Sequence, residues 1–161
     1  MERHADLAVW LSLFPITFVI HFAEEFWCAE GYPAYLLRLR GVTLTTRRFL
    51  VGQAIGFLLF CAAGVIALEL NFPEFMIVTL GGFVFANGLS HTVTAVIDRR
   101  YGPGLVSSAV LWMPLGVISA VAMFGRMSIT RFAIALAIGL SINGIVALLT
   151  MRGAQLKRSS N

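Results

Sequence analysis

Five apolar runs, each of the roughly 20 residues that a bilayer-crossing helix needs, dominate the chain: 7–28, 48–70, 75–97, 105–124 and 130–151. Short polar breaks rich in Pro and Gly separate the later runs: Phe72-Pro73-Glu74, then Asp98 to Gly104, then Gly125 to Ile129. Such breakers end helices and leave consecutive spans as neighbours. The pattern predicts an all-α membrane protein, a single domain built as a bundle of five transmembrane helices. The stretch 30–47 is different. It mixes Tyr32, Tyr35, Leu36, Leu37 and Leu39 with Arg38 and Arg40, which suits a short segment lying in the membrane interface.

Composition agrees with the pattern. Of 161 residues 58% are hydrophobic and 12% charged, with mean hydropathy +0.85, well above the roughly 45–50% apolar content of soluble domains. The five runs leave little chain for a soluble catalytic or nucleic-acid-binding module, so no nucleic-acid partner is expected. The first run carries mixed charge before it, at Glu2, Arg3 and Asp6, and continues through polar residues to Trp27. It reads as a retained span and not as a cleaved signal peptide.

Charge sets the expected orientation. Arg38, Arg40, Arg47, Arg48, Arg99, Arg100, Arg152, Lys157 and Arg158 collect on one side, against Arg3, Arg126 and Arg131 on the other. By the positive-inside rule the basic side is cytoplasmic. This gives N-out and C-in.

Within that frame the polar residues of the spans share one depth. His21, Glu24 and Glu25 lie in the cytoplasmic half of the first run, Gln53 in that of the second, and Asn87, Ser90, His91 and Thr94 in that of the third. Ser107 and Ser108 open the fourth, and Asn143 lies near the middle of the fifth. An ionisable group at the centre of a membrane helix costs roughly 2.5–3.5 kcal/mol on insertion scales and usually faces the bundle interior. At about 100° per residue, Glu24 falls roughly 60° to one side of His21 and Glu25 roughly 40° to the other. Asn87, His91, Thr94 and Asp98 follow i, i+4, i+7 and i+11 on one narrow helical face. The two groups can meet.

At these residues the chain resembles the HXXEE family of small bacterial membrane proteins. The resemblance rests on His21-x-x-Glu24-Glu25, on Asn87-x-x-x-His91, and on Arg100-Tyr101-Gly102-Pro103-Gly104 followed by Trp112-Met113-Pro114-Leu115-Gly116. It implies importance for the motif residues and no particular reaction.

The residue types suggest a chemistry. Two imidazoles and a carboxylate make a His2Glu set, of the kind that holds a catalytic zinc with one position open. The leading expectation takes His21, His91 and one of Glu24 or Glu25, written here as Glu25, as ligands of a divalent metal, most naturally zinc. The other glutamate then acts as general base on the attacking water, and Asn87 or Asn143 donates to a developing oxyanion. Asp98 either orients His91 from behind or caps its helix. The product would be a hydrolase or related water-activating enzyme working on a lipophilic or phosphate-bearing molecule.

Two other readings stand beside it. Without a metal, Glu24 and Glu25 can do acid-base chemistry with His91 and Asn87 as oxyanion donors. That would be comparable to an isomerase, or to the intramembrane glutamate proteases, whose arginine after the Glu pair and second His motif this chain lacks. Buried carboxylates beside His and Asn also occur in proton-coupled carriers, although five spans do not divide into the repeats usual in transporters. Cys28 and Cys61 lie at different depths and are not expected to form a disulfide. Gly52-x-x-x-Gly56 permits close helix packing within the bundle or in a homodimer.

Overall fold

A computed structural model describes the backbone of residues 2–158 and the side chains of residues 5–146 together with Leu148. The elements are α1 (Glu2–Trp27), α2 (Tyr32–Arg40), α3 (Thr46–Glu69), α4 (Pro73–Asp98), α5 (Leu105–Ser107), a π-helical turn (Ser108–Trp112), α6 (Met113–Met123) and α7 (Ile129–Arg158). No strand occurs among the described residues. Five segments are long and apolar enough to cross a membrane: Ala5–Trp27, Thr46–Glu69, Pro73–Asp98, Leu105–Met123 and Ile129–Val146. The fourth of these is α5, the π turn and α6 in succession. The side chains of Arg3, Arg152, Lys157 and Arg158, four members of the charge pattern, lie outside the described residues.

Local chemistry fixes where the helices begin and turn. Thr45 caps α3, its side chain accepting from the Arg48 amide at 3.3 Å, so the helix starts ahead of the apolar run and carries Arg47 and Arg48 in its first turn. Pro73 stands in the first turn of α4, where a missing N–H costs nothing. The interfacial stretch becomes the short helix α2, closed by Gly41 in the left-handed conformation at φ 64°. In the fourth span the Met113 amide reaches back five residues to the Ser108 carbonyl. Pro114 follows directly and cannot donate an amide, so the regular ladder is interrupted where the turn widens.

α4 is the central helix, touching each of the other four spans. Its membrane window is 44% buried, against 11% for that of α7. Lipid-facing residues such as Leu58, Val65, Val121 and Ile134 are exposed on the outside. The buried layer runs through Leu11, Phe14 and Phe18 of α1, Phe60 of α3, Ile77 and Val84 of α4, and Trp112. Between apolar helices in lipid, close approach replaces the hydrophobic drive. A Cβ on Gly116 would lie 2.6 Å from the Gly81 carbonyl, and one on Gly139 would run into that of Thr79, so α6 and α7 lie backbone against backbone on α4. In Gly52-x-x-x-Gly56, Gly56 packs inside the bundle against Phe18, whereas Gly52 has nothing within 4 Å.

Candidate functional site

The polar layer resolves into two connected clusters, and all five spans contribute to them. In the first, His21 is 2% exposed and Glu25 5%. Glu25 Oε1 lies 3.3 Å from His91 Nε2 and 3.6 Å from His21 Nε2. One ligand atom from each of the three residues falls within 4.8 Å of the others. The second carboxylate oxygen, Oε2, accepts from the Gln53 amide at 2.7 Å. The two imidazoles meet edge to face with ring centroids 5.0 Å apart.

His21 is held from behind by the fourth span. Its Nδ1 and Ser107 Oγ lie 2.9 Å apart, and Ser107 donates its own hydroxyl proton to the Gly104 carbonyl at 3.4 Å. On the other side of the ring, Nε2 faces the Glu25 carboxylate. The π turn carries Trp112 onto the imidazole, stacked with centroids 3.8 Å apart and planes 27° apart. Gly104, at φ +83°, closes the remaining side. A Cβ there would lie 2.8 Å from His21 Cε1 and 3.0 Å from both Glu25 Cγ and His91 Cε1.

Glu24 is turned elsewhere. Its Oε1 accepts from the Tyr101 hydroxyl at 2.6 Å and from the Val106 amide at 2.8 Å, and its Oε2 accepts from the Ser107 amide at 2.6 Å. Gly104 precedes α5 and has no side chain with which to cap it. Glu24 therefore caps the fourth span from α1, a negative charge on the free amides of a helix start. Both its oxygens are occupied there, and through Ser107 it is one residue removed from His21.

The second cluster lies on the α4–α7 side. Asn87 Nδ2 donates to Asn143 Oδ1 at 3.2 Å, and Asn143 Nδ2 donates to Ser90 Oγ at 3.2 Å. Asn87 Oδ1 is buried without a hydrogen-bond partner. A cavity of about 140 Å³ opens between α2, α4 and α7, with Asn87, Ser90, Asn143 and His91 in its wall. His91 thus belongs to both places: Nε2 faces Glu25 and the ring lines the cavity. Tyr32 of α2 reaches it as well, its ring centroid 6.0 Å from that of His91. Burial, with the Glu25 charge nearby, pushes the Tyr32 hydroxyl up to about 12.

The remaining candidates take other roles. Asp98 does not turn to His91 but accepts from Arg38 at 3.0 Å, and Arg38 also donates to Glu30 at 2.7 Å, which fastens α2 to the end of α4. Cys28 and Cys61 are both free. Cys28 lies beside the Tyr101 hydroxyl, outside the His21, Glu25 and His91 group. Gln53 and Ser107 belong to the polar layer in the sequence, but their duty as partners of Glu25 and His21 depends on helix rotation. Gly104 and Trp112 stand in the sequence only as members of the Arg100–Gly104 and Trp112–Gly116 motifs, with no contact attached to either.

The arrangement suits a cation. Charge-assisted N–H···O bonds run at about 2.7–2.9 Å, shorter than either imidazole–Glu25 distance. Two ligands at the roughly 2.0–2.2 Å reach of zinc stand about 3.3–3.6 Å apart on a tetrahedron, which matches the two imidazole–Glu25 distances, while the three ligand atoms together lie within the wider bound of 4.8 Å. The backing of His21 by Ser107 and of Glu25 by Gln53 is the support that metal ligands usually have.

No curated protein and no solved structure matches the chain. The family of proteins of unknown function with the HXXEE motif matches residues 12–119, from the middle of α1 through most of α6, and the chain belongs to that family.

Proposed function

We propose that His21, Glu25 and His91 hold a divalent metal ion, zinc by the chemistry of the donors, and that the protein is a membrane-embedded metal-dependent hydrolase or related water-activating enzyme. The observation that carries this reading is the convergence of one ligand atom each from His21, Glu25 and His91 within 4.8 Å of one another, with His21 and Glu25 buried. Two imidazoles and a carboxylate brought together in this way are donors that a divalent cation can share. When bound, such an ion supplies Lewis-acid polarisation and acidifies water.

The protein's own residues do the rest. Ser107 and Trp112 fix the His21 ring, Gln53 fixes the Glu25 carboxylate, and Gly104 and the π turn exclude bulk water from one side. His91 links the centre to the cavity, where a substrate's polar end is received. The amides of Asn87 and Asn143 each keep a further N–H for an oxyanion in that cavity. For Glu24 to act as the general base it would have to leave the Val106 and Ser107 amides.

In this reading the basic side faces the cytoplasm of a bacterial inner membrane, N-out and C-in, and a lipophilic substrate enters from the inner leaflet. A second copy of the chain would pack on the open face of α3 at Gly52. The test is hydrolysis of long-chain acyl and phosphate esters by chelator-stripped and zinc-reloaded protein in detergent. Turnover restored by zinc and abolished in Glu25→Ala supports the assignment. Turnover by stripped protein equal to that of the reloaded enzyme contradicts it.

A further inference from the structure

The cavity beside the centre has a character of its own. Its polar wall includes Arg40, Tyr32, Asn87, Ser90, His91, Thr94 and Asn143, and none of its lining residues is Asp or Glu. The wall thus offers one guanidinium, the Tyr32 hydroxyl and the second amide N–H groups of Asn87 and Asn143, while the Ser90 and Thr94 hydroxyls donate to the Ala86 and Ser90 carbonyls and can turn from these to an anion. This set is the complement of a compact anion. A volume of about 140 Å³ is close to the cavity of about 150 Å³ that admits a single benzene ring. It takes a head group and excludes a whole lipid.

The apolar wall shows where the rest of such a ligand would lie. Leu36 and Leu39 of α2 and Val146 of α7 complete the cavity. The outer surfaces of the same two helices present Leu37, Ile142 and Ile145 to lipid. A hydrocarbon chain leaving the cavity over them stays in an apolar environment throughout.

We infer that the α2–α4–α7 cavity binds the phosphate head of a single-chain amphiphile, with Arg40 as its charged partner and the Ser90, Thr94 and Asn143 side chains as its hydrogen-bonding wall. In placing that head group against His91 the inference names the substrate class of the proposed enzyme and rests on that reading. The binding itself does not.

The experiment is titration calorimetry on the full chain in neutral maltoside micelles, with decyl phosphate, decanol and inorganic phosphate as probes. Decyl phosphate is expected to bind saturably, one per chain, at least about tenfold more tightly than either of the others. Arg40→Gln, on an exposed side chain, weakens it about tenfold or more, in keeping with a lost charge-assisted contact. Thr94→Leu, which fills the cavity and leaves its charge, also removes binding. Arg48→Gln, a basic residue outside the cavity, stays within twofold. Unchanged affinity in Arg40→Gln, equal loss in Arg48→Gln, or inorganic phosphate binding as tightly as decyl phosphate overturns the inference. His21→Ala separates the two proposals: Arg40-dependent binding that persists in it, or in protein that holds no metal, supports the head-group site whatever becomes of the metal centre.

Discussion

Glu24 and Glu25 are adjacent in the chain and serve different helices. Glu25 points into the bundle, with His91 Nε2 3.3 Å from one oxygen and Gln53 2.7 Å from the other, while Glu24 binds the Tyr101 hydroxyl and the first amides of the fourth span. In the proposed reading the paired carboxylates of the motif are therefore a ligand and a cap. The cap holds in place the turn that carries Ser107 and Trp112, so the two roles are joined through His21.

The two glutamates should separate on substitution. Glu24→Gln removes the charge from three short hydrogen bonds and should destabilise the bundle by about 1.5–3 kcal/mol, seen as a lowered thermal midpoint in detergent, with metal stoichiometry retained in the folded fraction. Glu25→Gln should do the reverse, losing metal with a smaller change in midpoint measured against metal-free protein. Equal metal loss in both variants would show that Glu24 is not a cap alone.

Gly104 should tolerate no side chain. Alanine there puts a Cβ within 3.0 Å of both imidazoles and Glu25 and forces an L-residue to a positive φ, which costs roughly 1 kcal/mol or more before any clash. Gly104→Ala is expected to lower the midpoint and weaken metal binding together. Gly144→Ala, with nothing within 4 Å, serves as the control and should change neither.

The asparagine bridge should matter modestly. Asn143→Ala breaks the contacts to Asn87 and Ser90, and interhelical hydrogen bonds in membranes average about 0.6 kcal/mol, up to about 1.7. The expected result is a small fall in midpoint with metal content unchanged, read by thermal denaturation and elemental analysis on the same sample. A fall as large as that of Glu24→Gln would mean that the bridge holds α7 to the bundle.

Much of this was legible before the fold. The five spans follow from run length, and the helical angles around His21 with the stripe Asn87, His91, Thr94 and Asp98 bring the right residues to one depth. What periodicity does not contain is the rotation of one helix against another. Whether Glu24 or Glu25 turns inward depends on where the fourth span begins, and that start lies at Gly104, a residue that the sequence shows as a breaker and as a member of the Arg100–Gly104 motif but with no contact attached. Asp98 could not be assigned to Arg38 without the position of α2. The GxxxG pattern drew attention to Gly52, yet the close approaches are at Gly116 and Gly139, because α4 is the central helix and α3 is peripheral. The π turn at Ser108 to Trp112 leaves no pattern besides Pro114, and it is what sets the indole on His21.

The central claim is that His21, Glu25 and His91 hold one metal ion, and elemental mass spectrometry on protein purified in detergent without chelator tests it most directly. The expected result is near one zinc, or another divalent ion, per chain, lost in folded His21→Ala and in folded His91→Ala. Metal-free wild-type protein that takes up no zinc on addition, or a stoichiometry that both variants leave unchanged, would contradict it.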